Sequence, residues 1–86
     1  MAEATNIVFK LIEPTGLYKT AIVTAVASAT DTITLTSPEL YVNTIKAVHA
    51  HVAATGVPVT YSYSANVLTR VTAGTGVSDV IVIWFE

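Results

Sequence analysis

The sequence predicts an all-β fold, an antiparallel β-sandwich or small barrel of about seven short strands in one domain spanning residues 1–86. Three observations carry this. Runs rich in β-branched and aromatic residues recur about every ten residues, separated by Gly, Pro, Asn and Ser. Thr32-Ile33-Thr34-Leu35-Thr36 alternates polar and apolar, the period of a strand with one buried face. Val80-Ile81-Val82-Ile83-Trp84-Phe85 is apolar at every position, as in a strand covered on both faces.

Each segment has its own justification. Asn6–Ile12 is a strand with Ile7, Phe9 and Leu11 on one face and Val8, Lys10 and Ile12 on the other. Glu13-Pro14-Thr15-Gly16 ends it, because Pro lacks an amide donor and Gly accepts turn geometry. Lys19–Ala27 is the second strand, and Ser28-Ala29-Thr30-Asp31 turns the chain into Thr32–Thr36. Ser37–Leu40 reads as a short helical turn, with a capping Ser and Pro at the first helical position. Thr44–Ala53 has enough Ala for a helix, but Ile45, Val48 and Val52 favour a strand.

Val57–Tyr63 is expected as one strand presenting Val57, Val59, Tyr61 and Tyr63 together, with Pro58 marking a strand start or an edge. Ala65-Asn66 makes a tight hairpin into Val67–Thr72, Asn being the residue that tolerates a left-handed conformation. Ala73–Gly76 is the loop before the terminal strand.

Composition sharpens the reading. Apolar residues form 52% of the chain and charged residues 12%, against roughly 25% charged in ordinary domains. A small chain has much surface to cover and here has few charges for it. The apolar surface of the last strand is therefore expected to meet another chain. Trp84, Phe85, Ile83 and Ile81, then Tyr61 and Tyr63, are the expected contact residues. With no Cys, stability rests on packing and association. The net charge of -2 argues against a nucleic-acid partner. The start of the chain lacks signal-peptide character and no run is long enough to span a membrane as a helix, so neither export nor a membrane partner is expected.

Chemistry-bearing residues are sparse. His49 and His51 share one face of a strand and could hold one divalent ion, but no third ligand is near them in sequence. They are read as a solvated or contact-lining face, with no cofactor or metal expected. The six carboxylates fall mostly at turns or termini, where charge is hydrated, and no Ser, Thr or Gly sits in a nucleophile-elbow or phosphate-loop context. An enzyme is not expected.

The stretch Ile45–Val48, the hairpin Tyr61–Val71, the loop Ala73–Gly76 and the strand Val80–Ile83 together resemble small structural proteins of tailed-phage virions, including head-decoration proteins. That resemblance implies a virion component without catalysis, and the leading expectation is an all-β structural protein that self-associates, as a trimer or other ring, on a capsid shell. It carries over no functional residue. Without it, the expected location is the cytoplasm. Two other readings compete: a carbohydrate-binding β-sandwich using Tyr61 and Tyr63 as an aromatic platform, and a metal-stabilised oligomer or metalloenzyme built on His49 and His51.

Overall fold

A computed structural model describes residues 2–15, 18–35, 42 and 44–86. These form eight strands: β1 (Thr5–Thr15), β2 (Tyr18–Ala27), β3 (Thr32–Thr34), β4 (Ile45–Val52), β5 (Pro58–Val59), β6 (Tyr61–Ser64), β7 (Val67–Arg70) and β8 (Val77–Phe85). The described residues contain no helix, and the helical turn expected at Ser37–Leu40 lies outside them. Two antiparallel sheets result, one in the order β1-β2-β8-β4-β5 and one in the order β3-β7-β6.

Alternation builds the core. Ala21, Val23, Ala25 and Ala27 of β2 point the same way as Ile81, Ile83 and Phe85 of β8, their direct cross-strand partners or neighbours. Ile45 and Ala50 of β4 join them. Ile33, Leu35, Tyr61 and Leu68, from the three-stranded sheet and its continuation, complete one cluster. Ile33 and Leu35 are buried as the Thr-flanked pattern requires.

The chain departs from the sequence expectations in four places. Val57–Tyr63 is not one strand: β5 pairs with β4 in the large sheet, and β6 pairs with β7 in the small one. The switch occurs at Thr60, whose amide donates to Thr72 Oγ1 (2.9 Å) and whose carbonyl accepts from the Val71 amide (2.9 Å). Strands that change sheets make the corners of two-sheet folds. Pro58, which has no amide to give, sits where the first ladder is shortest.

β1 continues through Pro14 to Thr15, which pairs with Tyr18, because an edge strand can leave one amide position empty. In the β6–β7 hairpin, Ala65 rather than Asn66 takes the positive φ (52°). β8 begins at Val77, three residues before the apolar run, so Asp79 belongs to a strand.

The β3 edge is closed by the N-terminal segment. The Ala4 amide donates to the Thr32 carbonyl and the Thr32 amide to the Ala2 carbonyl, both at 2.8 Å. The Glu3 carboxylate accepts from the Thr34 amide (2.9 Å) and the Thr32 hydroxyl (2.9 Å). This carboxylate, expected to be simply hydrated, thus protects a strand edge.

Candidate interaction face

The side of the large sheet turned away from the core carries a regular grid. Cross-strand registers place Ile12, Thr20, Trp84 and Ala47 in one row. The next row is Lys10, Ile22, Val82 and His49. The third is Val8, Thr24, Val80 and His51, with Pro58 beyond it. Ile22, Val80, Val82 and Trp84 are half-buried, shielded only by neighbours on their own face. Val8 is 59% exposed and Ile12 38% exposed at the margin. Among the described residues no third layer covers this face, since both sheets and the core lie on its inner side. With strands about 4.8 Å apart and same-face residues about 6.8 Å apart, the grid covers on the order of 400 Å². Its apolar part, centred on Ile22, Val80, Val82 and Trp84, is smaller, interrupted by Thr20 and Thr24 and flanked by Lys10 and the two histidines.

The six residues expected at a subunit contact divide accordingly. Ile81, Ile83 and Phe85 have no exposed surface and Tyr61 only 5%, all covered by the chain itself. Trp84 lies on the outer grid, and Tyr63 is 44% exposed elsewhere. The small sheet covers the inner face of β8, so four of the six expected contact residues lie in the core and the outer face is the apolar surface left without cover among the described residues. Tyr61 and Tyr63 form no shared exposed platform. Tyr61 turns inward, and the Tyr63 hydroxyl donates to the Lys46 carbonyl (3.1 Å), tying the small sheet to β4.

His49 and His51 project on the outer side of β4, His49 exposed and His51 half-buried. Their cross-strand neighbours Val82, Val80 and Pro58 have no side chain able to hydrogen-bond an imidazole. No group of three or more His, Cys, Asp or Glu with metal-site geometry occurs among the described residues.

A second polar cluster escaped the sequence reading. Asp79 and Arg70, 1% and 2% exposed, form an ion pair inside the core. Arg70 Nε donates to Asp79 Oδ2 (2.8 Å), and the Tyr61 hydroxyl donates to the same oxygen (2.6 Å). Arg70 Nη1 also donates to the Thr72 carbonyl. Asp79 belongs to the large sheet, while Arg70 and Tyr61 belong to the small one, so the cluster joins the sheets. Burial first, then the hydrogen bond to Asp79 and its charge, push the Tyr61 phenol well above its ordinary range. Gly74 is required beside it: a Cβ there would stand 2.9 Å from Arg70 Nη1 and 3.0 Å from Val77 Cγ2. The hydrated-carboxylate reading of Asp79 is thereby overturned. The available signal was parity, because Asp79 is in step with Ile81, Ile83 and Phe85, and Arg70 with Leu68.

A shallow depression of about 220 Å³ lies between Asn6, Thr24, Val26, Ala53, Ser78 and Val80, below the roughly 300–1,000 Å³ of ligand pockets. Comparison with protein-family models, with curated proteins and with solved structures returned no match.

Proposed function

We propose that this chain is a non-enzymatic structural protein that works by self-association through the outer face of its large sheet, as a component of a virion shell. The observation that carries the reading is the uncovered grid around Trp84, Val82, Val80 and Ile22. Its only residues that can carry charge are at the flanks, with Lys10 on β1 and the two histidines on β4. Interfaces favour this arrangement, an apolar centre carrying aromatics and a polar rim. The virion setting rests on the pattern shared with small tailed-phage structural proteins.

Magnitudes define what such a contact can do. Two copies stacked through this face remove on the order of 800 Å², below the roughly 1,200–2,000 Å² of a stable standard interface. At about 25 cal/mol per Å² the gross apolar gain is at most about 20 kcal/mol, against about 4–15 kcal/mol of lost freedom. One such contact is weak by itself, and holding the copies together on a shell reinforces it through effective concentration.

Sedimentation across a concentration series tests the proposal. The wild-type chain is expected to show reversible association, and Trp84→Asp to stay folded and sediment as a monomer. A wild-type chain that remains monomeric at the highest concentration, or a Trp84→Asp chain that associates as before, refutes the reading.

A further inference from the structure

Resting on that assembly reading, we infer that His49 and His51 form half of a transition-metal site that a second copy of the chain completes. On β4 the two residues stand on one side of the strand, one exposed and one half-buried. Their Cα atoms are about 6.8 Å apart, as residues i and i+2 of any strand must be. Two imidazoles so placed converge on one ion without backbone movement. The registers set Val82, Val80 and Pro58 opposite them, so no salt bridge or hydrogen bond to these neighbours competes for their nitrogens.

Among the described residues, a single chain does not finish the site. Closed structural sites for zinc have four ligands, and the described residues hold no cluster of three. The pair sits in the second and third rows of the grid proposed to meet a second copy. Packed sheets lie about 10 Å apart, and an imidazole from each side spans about half that gap. A two-fold axis through the contact near β4 therefore sets two histidines of one copy against two of the other, the four-nitrogen set that suits zinc, nickel or copper. Magnesium and calcium, which take oxygen ligands, are excluded by the same chemistry.

The small area of the face gives the ion a purpose. A contact on the order of 800 Å² is marginal by itself, and metal staples are a usual remedy for small domains without disulfides. The contact is isologous, so it joins copies in pairs, which distinguishes it from the three-fold ring expected from sequence.

The test uses the full chain, stripped with EDTA, then titrated with zinc chloride and, in parallel, with magnesium chloride. Sedimentation velocity reads mass, and elemental analysis of the separated species reads stoichiometry. Zinc at about 100 times the site's Kd should raise the dimerisation constant about 100-fold by mass action, with one ion per two chains. Magnesium should change nothing. His51→Ala, and separately His49→Ala, should abolish the zinc effect while circular dichroism remains that of the wild type. Association that is equal with and without zinc and in both variants overturns the metal site and leaves the assembly reading standing. Zinc bound to single chains, or a zinc-induced mass shift that survives in either variant, also overturns it. Chains that never associate under any condition overturn both.

Discussion

β8 has two faces built from nearly the same residues, and they do different work. Ile81, Ile83 and Phe85 point inward and lose all exposure, while Val80, Val82 and Trp84 point outward and keep part of theirs. Hydropathy does not separate the two sets; the partner does. The inner set meets the small sheet through Ile33, Leu68 and Tyr61, and the outer set has only its own sheet beside it. A uniformly apolar strand therefore marks two surfaces that want cover, of which this chain provides one. The inner face also carries the larger anomaly, a buried charge at Asp79.

That charge gives the largest expected effect. Asp79→Ala removes the partner of a guanidinium that is itself buried, and breaking such a pair costs about 3–5 kcal/mol. A domain of this size holds roughly 4–13 kcal/mol in total, so the variant should be close to unfolding at room temperature in urea titrations. Replacing the pair together, Arg70→Met with Asp79→Leu, should recover most of the loss, because no charge is then stranded. A single variant as stable as the wild type would show that the ion pair does not hold the sheets together.

The two faces can next be compared directly, one residue apart. Ile83→Ala opens a cavity in the core and should cost about 2–5 kcal/mol. Val82→Ala removes two methyl groups from a face without an overlying layer and should cost less than about 1 kcal/mol in the isolated chain. The order should reverse in association, where Val82→Ala weakens self-contact and a refolded Ile83→Ala does not. Equal stability losses at the two positions would mean that the outer face is already packed.

Much of this architecture was legible from residues alone. Alternation located β3, where a period of two is enforced because one face is buried; β-branched content located β2 and β4, and the unbroken apolar run located β8. The break at Thr60 was not legible, since Val57 to Tyr63 keeps perfect alternation through the corner, and only the ladders reveal that its two halves pair with different strands. The left-handed residue of the hairpin was assigned to Asn66 by propensity, whereas register places it at Ala65. The outer face was foreshadowed by the unbroken apolar run. Which residues were core and which were surface needed the second sheet, since parity gives two faces but does not say which is covered. The charge cluster was hidden by a habit of reading acids as hydrated, although parity put Asp79 on the core side of its strand.

The last comparison concerns the third member of that cluster and is read through pH. Tyr61 donates to the Asp79 carboxylate from a buried position, and its phenol is held protonated well above its ordinary value near 10. In the unfolded chain the same phenol ionises near 10. A group raised on folding contributes stability that is complete below its unfolded pKa and is lost as pH rises through the folded one. Melting temperature should therefore hold steady to about pH 10 and fall beyond it as the unfolded state gives up this proton. Tyr61→Phe should flatten the part of that slope due to this phenol. At neutral pH it should cost about 1.5–3 kcal/mol for the lost bond to a charged acceptor. If the alkaline slope is identical in Tyr61→Phe and the wild type, the phenol is not confined as its contacts with Asp79 require, and the inner face of β8 is looser around its one charge than its burial indicates.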